Sequence, residues 1–311
     1  MKGITALLLT LALNVLFTPA SQAQTVTIGY QKANIFALLK SRGGLEQSLE
    51  KSGAQVRWVE FPAGPQMLEG LNVGSIDLAA TGDAPPVFAQ AARADLVYLG
   101  HSPASPQTEA IVVPPDSAIK GVADLKGKRV ALNKGSDVNW LLLRALEKAG
   151  LTIGDITPVW LPPADARAAF QRGAVDAWAI WDPYLAEVET RLQARQITSA
   201  EGLVPHYTFY LASRRFAEGS PQIARQVLAE LQALSQWANT HQTEAAHILG
   251  ASTGLPPAIW QKALARMPFG AAAMTEEIFD QQQTLADSFT RSGLLPVSVK
   301  VRDAAWSAAS P

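Results

Sequence analysis

One ten-residue pattern is written twice in this chain. Gly74-Ser75-Ile76-Asp77-Leu78-Ala79-Ala80-Thr81-Gly82-Asp83 lines up without a gap with Gly173-Ala174-Val175-Asp176-Ala177-Trp178-Ala179-Ile180-Trp181-Asp182, 99 positions later. Gly74/Gly173, Asp77/Asp176, Ala80/Ala179 and Asp83/Asp182 coincide. In each copy a helix ends at glycine, a buried strand follows, and an Asp with a nearby Pro opens the next turn. The segments upstream share a grammar too. Val26–Tyr30 reads as a strand, Gln31–Asn34 as a polar loop and Ile35–Leu49 as an amphipathic helix. Lys128–Leu132, Asn133–Ser136 and Asp137–Ala149 repeat that order, with Gly150 as the stop. Two copies are too few for a solenoid. They fit an α/β fold of two similar lobes whose strand ends meet at a central cleft, the place where open α/β sheets bind ligands.

The N-terminus reads as an export signal. Lys2 precedes the apolar run Ile4–Phe17, too short to span a bilayer comfortably, and Ser21 and Ala23 are small residues that suit a signal peptidase. Cleavage is expected after Ala23, making 1–23 a signal peptide and the mature protein periplasmic; an uncleaved membrane anchor is the alternative. No cysteine stands at the cut to carry a lipid, and no later stretch approaches the length of a membrane span. Of the mature chain, 24–104 is expected to form the first part of lobe 1 and 105–208 lobe 2. Residues 209–311 return to lobe 1. The first boundary lies in Ser102-Pro103-Ala104-Ser105-Pro106-Gln107. The second lies near Pro205, where His206–Leu211 reads as a strand. Beyond Ser220 the pattern is helical over Gln222–Asn239, Glu244–Leu249, Pro257–Arg266 and Glu276–Ser292, and these helices are expected to pack on the first lobe. Two crossings with few residues make a hinge.

Composition removes several classes of function. Zero cysteines exclude a disulfide scaffold, a thiolate metal site and a Cys nucleophile. With 26 Lys plus Arg against 27 Asp plus Glu there is no basic field to hold nucleic acid. The four histidines, His101, His206, His241 and His247, form no zinc motif. Neither a nucleophile elbow nor a phosphate loop is present. An enzyme is therefore not expected.

Longer motifs carry a family resemblance. GYQK at 29–32, WVEFPAGPQMLE at 58–69 running on into LNVGSID and TGDAPP, FAQAARADLVYLG at 88–100, DLKGKRVA at 124–131, LLLRAL at 141–146, PADARAAFQRG at 163–173 and VDAWAIWDPY at 175–184 resemble the aliphatic sulfonate-binding proteins of bacterial ABC importers. The likeness is nearly continuous from Ile28 to Tyr184 and mostly one of pattern from there to Trp306. It implies a bilobal type II periplasmic binding fold, capture of an alkanesulfonate or taurine-like compound as a sulfur source, and delivery to a membrane permease with its ATPase subunit. It implies no cofactor. A monomer is expected. The alternatives are the same fold binding a different small organic anion or zwitterion, or a ligand-sensing domain that touches a receptor.

A sulfonate has three acceptor oxygens and one negative charge, and helix N-termini supply the donors it needs. The candidate ligand-binding residues lie at strand ends. Gln31 offers an amide; Lys32 offers an amide or a charge, or else is solvated. Thr81, Gly82, Asp83 and Ala84 form a turn whose amides can wrap an anion, Asp83 through its backbone or by orienting the loop. Gly135 and Ser136 precede a helix, with Ser136 an N-cap candidate. Trp178 and Trp181 are candidates for an apolar wall, Asp182 for a cap or a cleft acceptor, and Glu109 for a group reaching the cleft. One loop departs from the family's pattern. Where the family usually carries small hydroxyl residues and then His-Asn after Lys-Gly-Ser, this chain has Asp137-Val138-Asn139-Trp140. Asp137 would repel an anion. It either pairs with the ammonium of a zwitterionic ligand or points to solvent.

Overall fold

The computed structural model describes residues 24–306; the expected signal peptide lies outside them. The first stretch of chain contains β1 (Gln24–Tyr30), α1 (Ile35–Arg42), α2 (Gly44–Lys51), β2 (Ala54–Glu60), α3 (Gly64–Asn72), β3 (Leu78–Thr81), α4 (Ala84–Ala91) and β4 (Leu96–His101). The second contains β5 (Glu109–Val113), β6 (Arg129–Leu132), α5 (Asp137–Lys148), β7 (Thr157–Trp160), α6 (Pro163–Gln171), β8 (Ala177–Trp181), α7 (Tyr184–Arg191) and β9 (Arg195–Ser199). The third contains β10 (Phe209–Ser213), α8 (Arg214–Gly219), α9 (Pro221–Thr240), α10 (Gln242–Thr253), α11 (Pro257–Leu264) and α12 (Glu276–Arg291).

The strands form two five-stranded mixed sheets, ordered β2-β1-β3-β10-β4 and β7-β6-β8-β5-β9. In each, the fourth strand enters just after the chain has crossed from the other sheet and runs antiparallel to its neighbours. This is the bilobal α/β architecture that the repeat implies. The repeat is physical as well as textual. Asp77 accepts a hydrogen bond from the Thr27 amide of β1, and Asp176 accepts one from the Arg129 amide of β6, both at 2.8 Å. Gly74 and Gly173 both take positive φ, 73° and 70°, where a side chain is strained. β3 and β8 are buried along their whole length, since helices cover both faces of each sheet.

Two details differ from the sequence reading. The helix expected over Ile35–Leu49 is broken at Gly43, whose φ of 67° ends α1 in a left-handed cap. The strand expected from His206 starts only at Phe209. His206 has φ 51°, and its carbonyl accepts from the Ser105 amide at 2.9 Å, so tertiary bonds set its backbone.

The chain passes from the first sheet to the second between His101 and Glu109, and back between Ser199 and Phe209. These crossings lie side by side: Ser102 and Thr208 exchange backbone and hydroxyl hydrogen bonds, and His206 Nδ1 lies 2.8 Å from Thr108 Oγ1. The C-terminal helices α9, α10 and α12 pack on α2, α1 and α4 of the first lobe, as expected. Helix α11 also packs on α7 of the second lobe, a bridge that helical periodicity did not indicate. No helix among the described residues is long and apolar enough to cross a membrane.

Candidate functional site

Between the sheets lies a cleft of about 60 Å³. The first lobe lines it with Gln31, Asn34, Thr81 and Gly82, the second with Ser136, Asp137, Trp181 and Asp182. The crossings contribute Ser102, Ser105, Thr108, His206 and Thr208, and the segment after α11 contributes Met267–Phe269. A cavity of ~150 Å³ is what benzene occupies, so a ligand enters only when the lobes part or a side chain moves.

The turn after β3 delivers the chain into α4, and its orientation is fixed from behind. Buried Gln282 of α12 donates to the Asp83 carbonyl at 2.5 Å and to the Tyr98 hydroxyl at 3.2 Å. Thr81 Oγ1 donates to the Gly82 carbonyl at 3.1 Å, and Asn34 Nδ2 donates to the Ala80 carbonyl at 3.0 Å. Gln31 also faces Ala80, at 3.5 Å. The Ala84 amide, the first of α4, is thereby aimed across the cleft.

Asp137 meets it there. Its Oδ1 accepts the Ala84 amide at 3.1 Å, a bond between the lobes. Asp137 is buried and does not point to solvent. Gly82 makes the approach possible, because a Cβ at that position would fall inside the Asp137 carboxyl group.

Three further ionisable groups surround this bond. His206 Nε2 lies 3.7 Å from Asp137 Oδ2. Burial alone would lower the imidazole, but the negative charges of Glu109 and Asp137 outweigh it and push its pKa up to about 10. Glu109 is fully buried, and burial pushes it up to about 7 against the pull of His206. Asp83 is driven well above the usual carboxylate range by burial and then by Asp137. The carboxyl oxygens of Glu109 and Asp83 have no hydrogen-bond partner.

At the other side of the cleft, Asp182 accepts two hydrogen bonds from Arg266, at 2.8 and 3.0 Å, and one from the Ala186 amide at 3.0 Å. Arg266 also reaches Glu189 at 3.0 Å. Burial raises Asp182 to about 6 despite the guanidinium beside it.

Of the other expected residues, Lys32, Gly135 and Trp178 do not line the cleft, whereas Ser136 and Trp181 do. Lys32 is surface-exposed and pairs with Glu60 at 3.3 Å. The Gly135 amide donates to Asn139 Oδ1, leaving it no free hydrogen for a ligand. Ser136 stands at the N-cap position of α5 but makes no side-chain capping bond; its hydroxyl donates to the Asn133 carbonyl at 2.7 Å. Trp178 packs on Phe170 inside the second lobe, whereas Trp181 does face the cleft. The sequence reading did not place His206, Arg266 or Gln282 at the site. Each is brought there by a long-range contact with no local signature.

A family model described as NMT1/THI5 like matches residues 49–245. The solved alkanesulfonate-binding protein SsuA from Xanthomonas axonopodis pv. citri, bound to MOPS, is 45% identical with a TM-score of 0.86 over 92% of this chain and 99% of that one. The chain belongs to the aliphatic sulfonate-binding family. The periplasmic aliphatic sulphonate binding protein SsuA from Escherichia coli is also 45% identical, with a TM-score of 0.81 over 91% of this chain and 92% of that one. A curated protein of Escherichia coli strain K12, named for binding aliphatic sulfonates, is 46% identical over 288 residues, 92% of this chain and 90% of its own. The family shares this two-sheet fold, and the likeness covers both walls of the cleft.

Proposed function

We propose that this protein is the periplasmic substrate-binding component of an ABC importer, capturing an aliphatic sulfonate between its lobes and presenting it to a permease with its ATPase subunit. The observation that carries the reading is the Ala84 amide, held by Gln282 through the turn and aimed at a negatively charged oxygen across the cleft. A carboxylate oxygen already sits where a sulfonate oxygen would bind. Thr81 and Gln31 on the first lobe, Ser136 on the second and His206 on the crossing supply further polar contacts. Trp181 and the Met267–Phe269 segment offer apolar surface for the carbon chain.

The magnitudes are adequate. Charge–dipole contacts at helix N-termini contribute roughly 0.3–2 kcal/mol each, and burial of each methylene about 0.8 kcal/mol. A few of both reach about −8 kcal/mol, the level of micromolar affinity. Closure about the paired crossings converts occupancy into a shape a permease can read. Chemistry on the ligand is not required. A strain lacking this gene should fail to grow with an alkanesulfonate as sole sulfur source and grow normally on sulfate. Normal growth on both, in a strain with no second sulfonate importer, would refute the reading.

A further inference from the structure

The loop 133–140 is where this chain departs from the pattern of the family it resembles, and Asp137 is the departure that reaches the cleft. Its carboxylate bonds the Ala84 amide of the opposite lobe at 3.1 Å, over a glycine that leaves room for nothing larger. That amide is the donor on which the proposed function rests, and the inference rests on that reading. We propose that Asp137 is a specificity-determining residue: it is a built-in occupant of the first-lobe amide, which an incoming sulfonate must displace, and once displaced it favours ligands that carry a positive charge of their own.

Three observations support this. First, the occupant and the donor belong to different lobes, Asp137 opening α5 and Ala84 opening α4. The bond therefore exists only while the lobes are together, as a ligand-mediated contact would.

Second, the surroundings are poor in positive charge. The groups facing Asp137 are Asp83 at the head of α4, Glu109 at the head of β5, and His206 on the return crossing, which is the one cation among them. Among the residues lining the cleft there is no Lys or Arg, and Arg266 beside it is taken up by Asp182 and Glu189. The buried carboxyls of Asp83 and Glu109 add no positive charge there, so His206, 3.7 Å from Asp137 Oδ2, is the one cation a displaced Asp137 can turn to.

Third, the cleft is small. A sulfonate that takes the Ala84 amide leaves the Asp137 carboxylate within a few ångströms of its own charge. An ammonium on the ligand relieves that repulsion and supplies the hydrogen bond Asp137 has lost. A methyl group in the same place does neither.

Taurine and 1-propanesulfonate test this, since they share one chain length and differ by an ammonium against a methyl. Both should be titrated calorimetrically into the full mature protein and into Asp137→Ser and Asp137→Asn, in buffer free of sulfonates. The expected result is that Asp137→Ser binds propanesulfonate about tenfold more tightly than the parent protein, the size of one charge-assisted hydrogen bond, while taurine gains nothing or weakens. Equal shifts for both ligands, or none for either, would overturn the inference while leaving the sulfonate-binding reading intact. Absence of binding of any sulfonate to the parent and to both variants would instead overturn that reading and this inference with it. A second measurement needs no ligand. Hydrogen exchange at the Ala84 amide should be about tenfold faster in Asp137→Ser than in the parent protein, with the circular dichroism of the two unchanged. Unaltered exchange would show that Asp137 does not hold that amide in solution.

Discussion

Glu109 begins β5 fully buried, and neither carboxyl oxygen finds a donor. Its pKa near 7, against an ordinary 4.5, means that the folded chain keeps a proton that the unfolded chain has released. Ionisation of Glu109 therefore draws down stability as pH rises from 4.5 through 7. His206 acts in the same direction at higher pH. Its pKa is about 10 against 6.5, so its contribution is fully present below pH 6.5 and lost as pH approaches 10. Glu109→Gln should accordingly raise the unfolding free energy at pH 8 by about 1 kcal/mol and leave it unchanged at pH 4. Urea denaturation at the two pH values checks this, and an equal effect at both would contradict the assignment. Gly82→Ala places a methyl group inside the Asp137 carboxyl and should cost about 2 kcal/mol. Combining it with Asp137→Ala should recover most of that loss; additive losses in the double variant would show that the two residues do not meet. Sequence alone brought Thr81–Ala84 forward because they lie where a strand runs into a helix, and Asp137 because its loop departs from the pattern of the family the chain resembles. It could not say that they touch, since a contact across two lobes has no local signal, and it left Asp137 between solvent and ligand.

Among the elements, α11 and the turn after it work between the lobes. Arg266 follows α11 of the C-terminal segment, yet its guanidinium binds Asp182 and Glu189 of the second lobe, and Lys262 reaches Glu189 at 3.0 Å. Asp182 is almost wholly buried, and removing its partner would leave a desolvated carboxylate. Arg266→Ala should therefore lower stability by about 3 kcal/mol, whereas Lys126→Ala, which breaks the exposed pair with Asp155, should leave stability nearly unchanged. Thermal or urea unfolding of Arg266→Ala and Lys126→Ala would measure the contrast, and equal effects would refute it. Helical periodicity gave the approximate extents of α9, α11 and α12 but only the middle of α10, which runs from Gln242 to Thr253. It could not give α11 its second neighbour, because one apolar stripe does not say how many surfaces share it. The break at Gly43 was readable from the glycine pair Gly43-Gly44, but a long amphipathic pattern outweighed it.

For the whole molecule, the duplicated pattern determines most of the architecture. Asp77 and Asp176 perform one structural task in two sheets of matching strand order, and the strand exchanged at each crossing joins the lobes into a clamp. The two Asp residues at the ends of those repeats have diverged. Asp83 supports a turn that offers an amide, and Asp182 holds an arginine. This divergence places a wall that presents an amide on one lobe and an ion-paired wall on the other, and a single sequence shows it only as two similar loops.

The central claim is that an aliphatic sulfonate binds between these walls. Calorimetric titration of the mature, ligand-stripped protein with alkanesulfonates of increasing chain length, in a buffer free of sulfonates, tests it directly. Saturable one-to-one binding at about micromolar affinity is predicted, weakened at least tenfold by Thr81→Val together with Gly82→Leu. No heat from any sulfonate, or binding indifferent to those substitutions, would contradict the account.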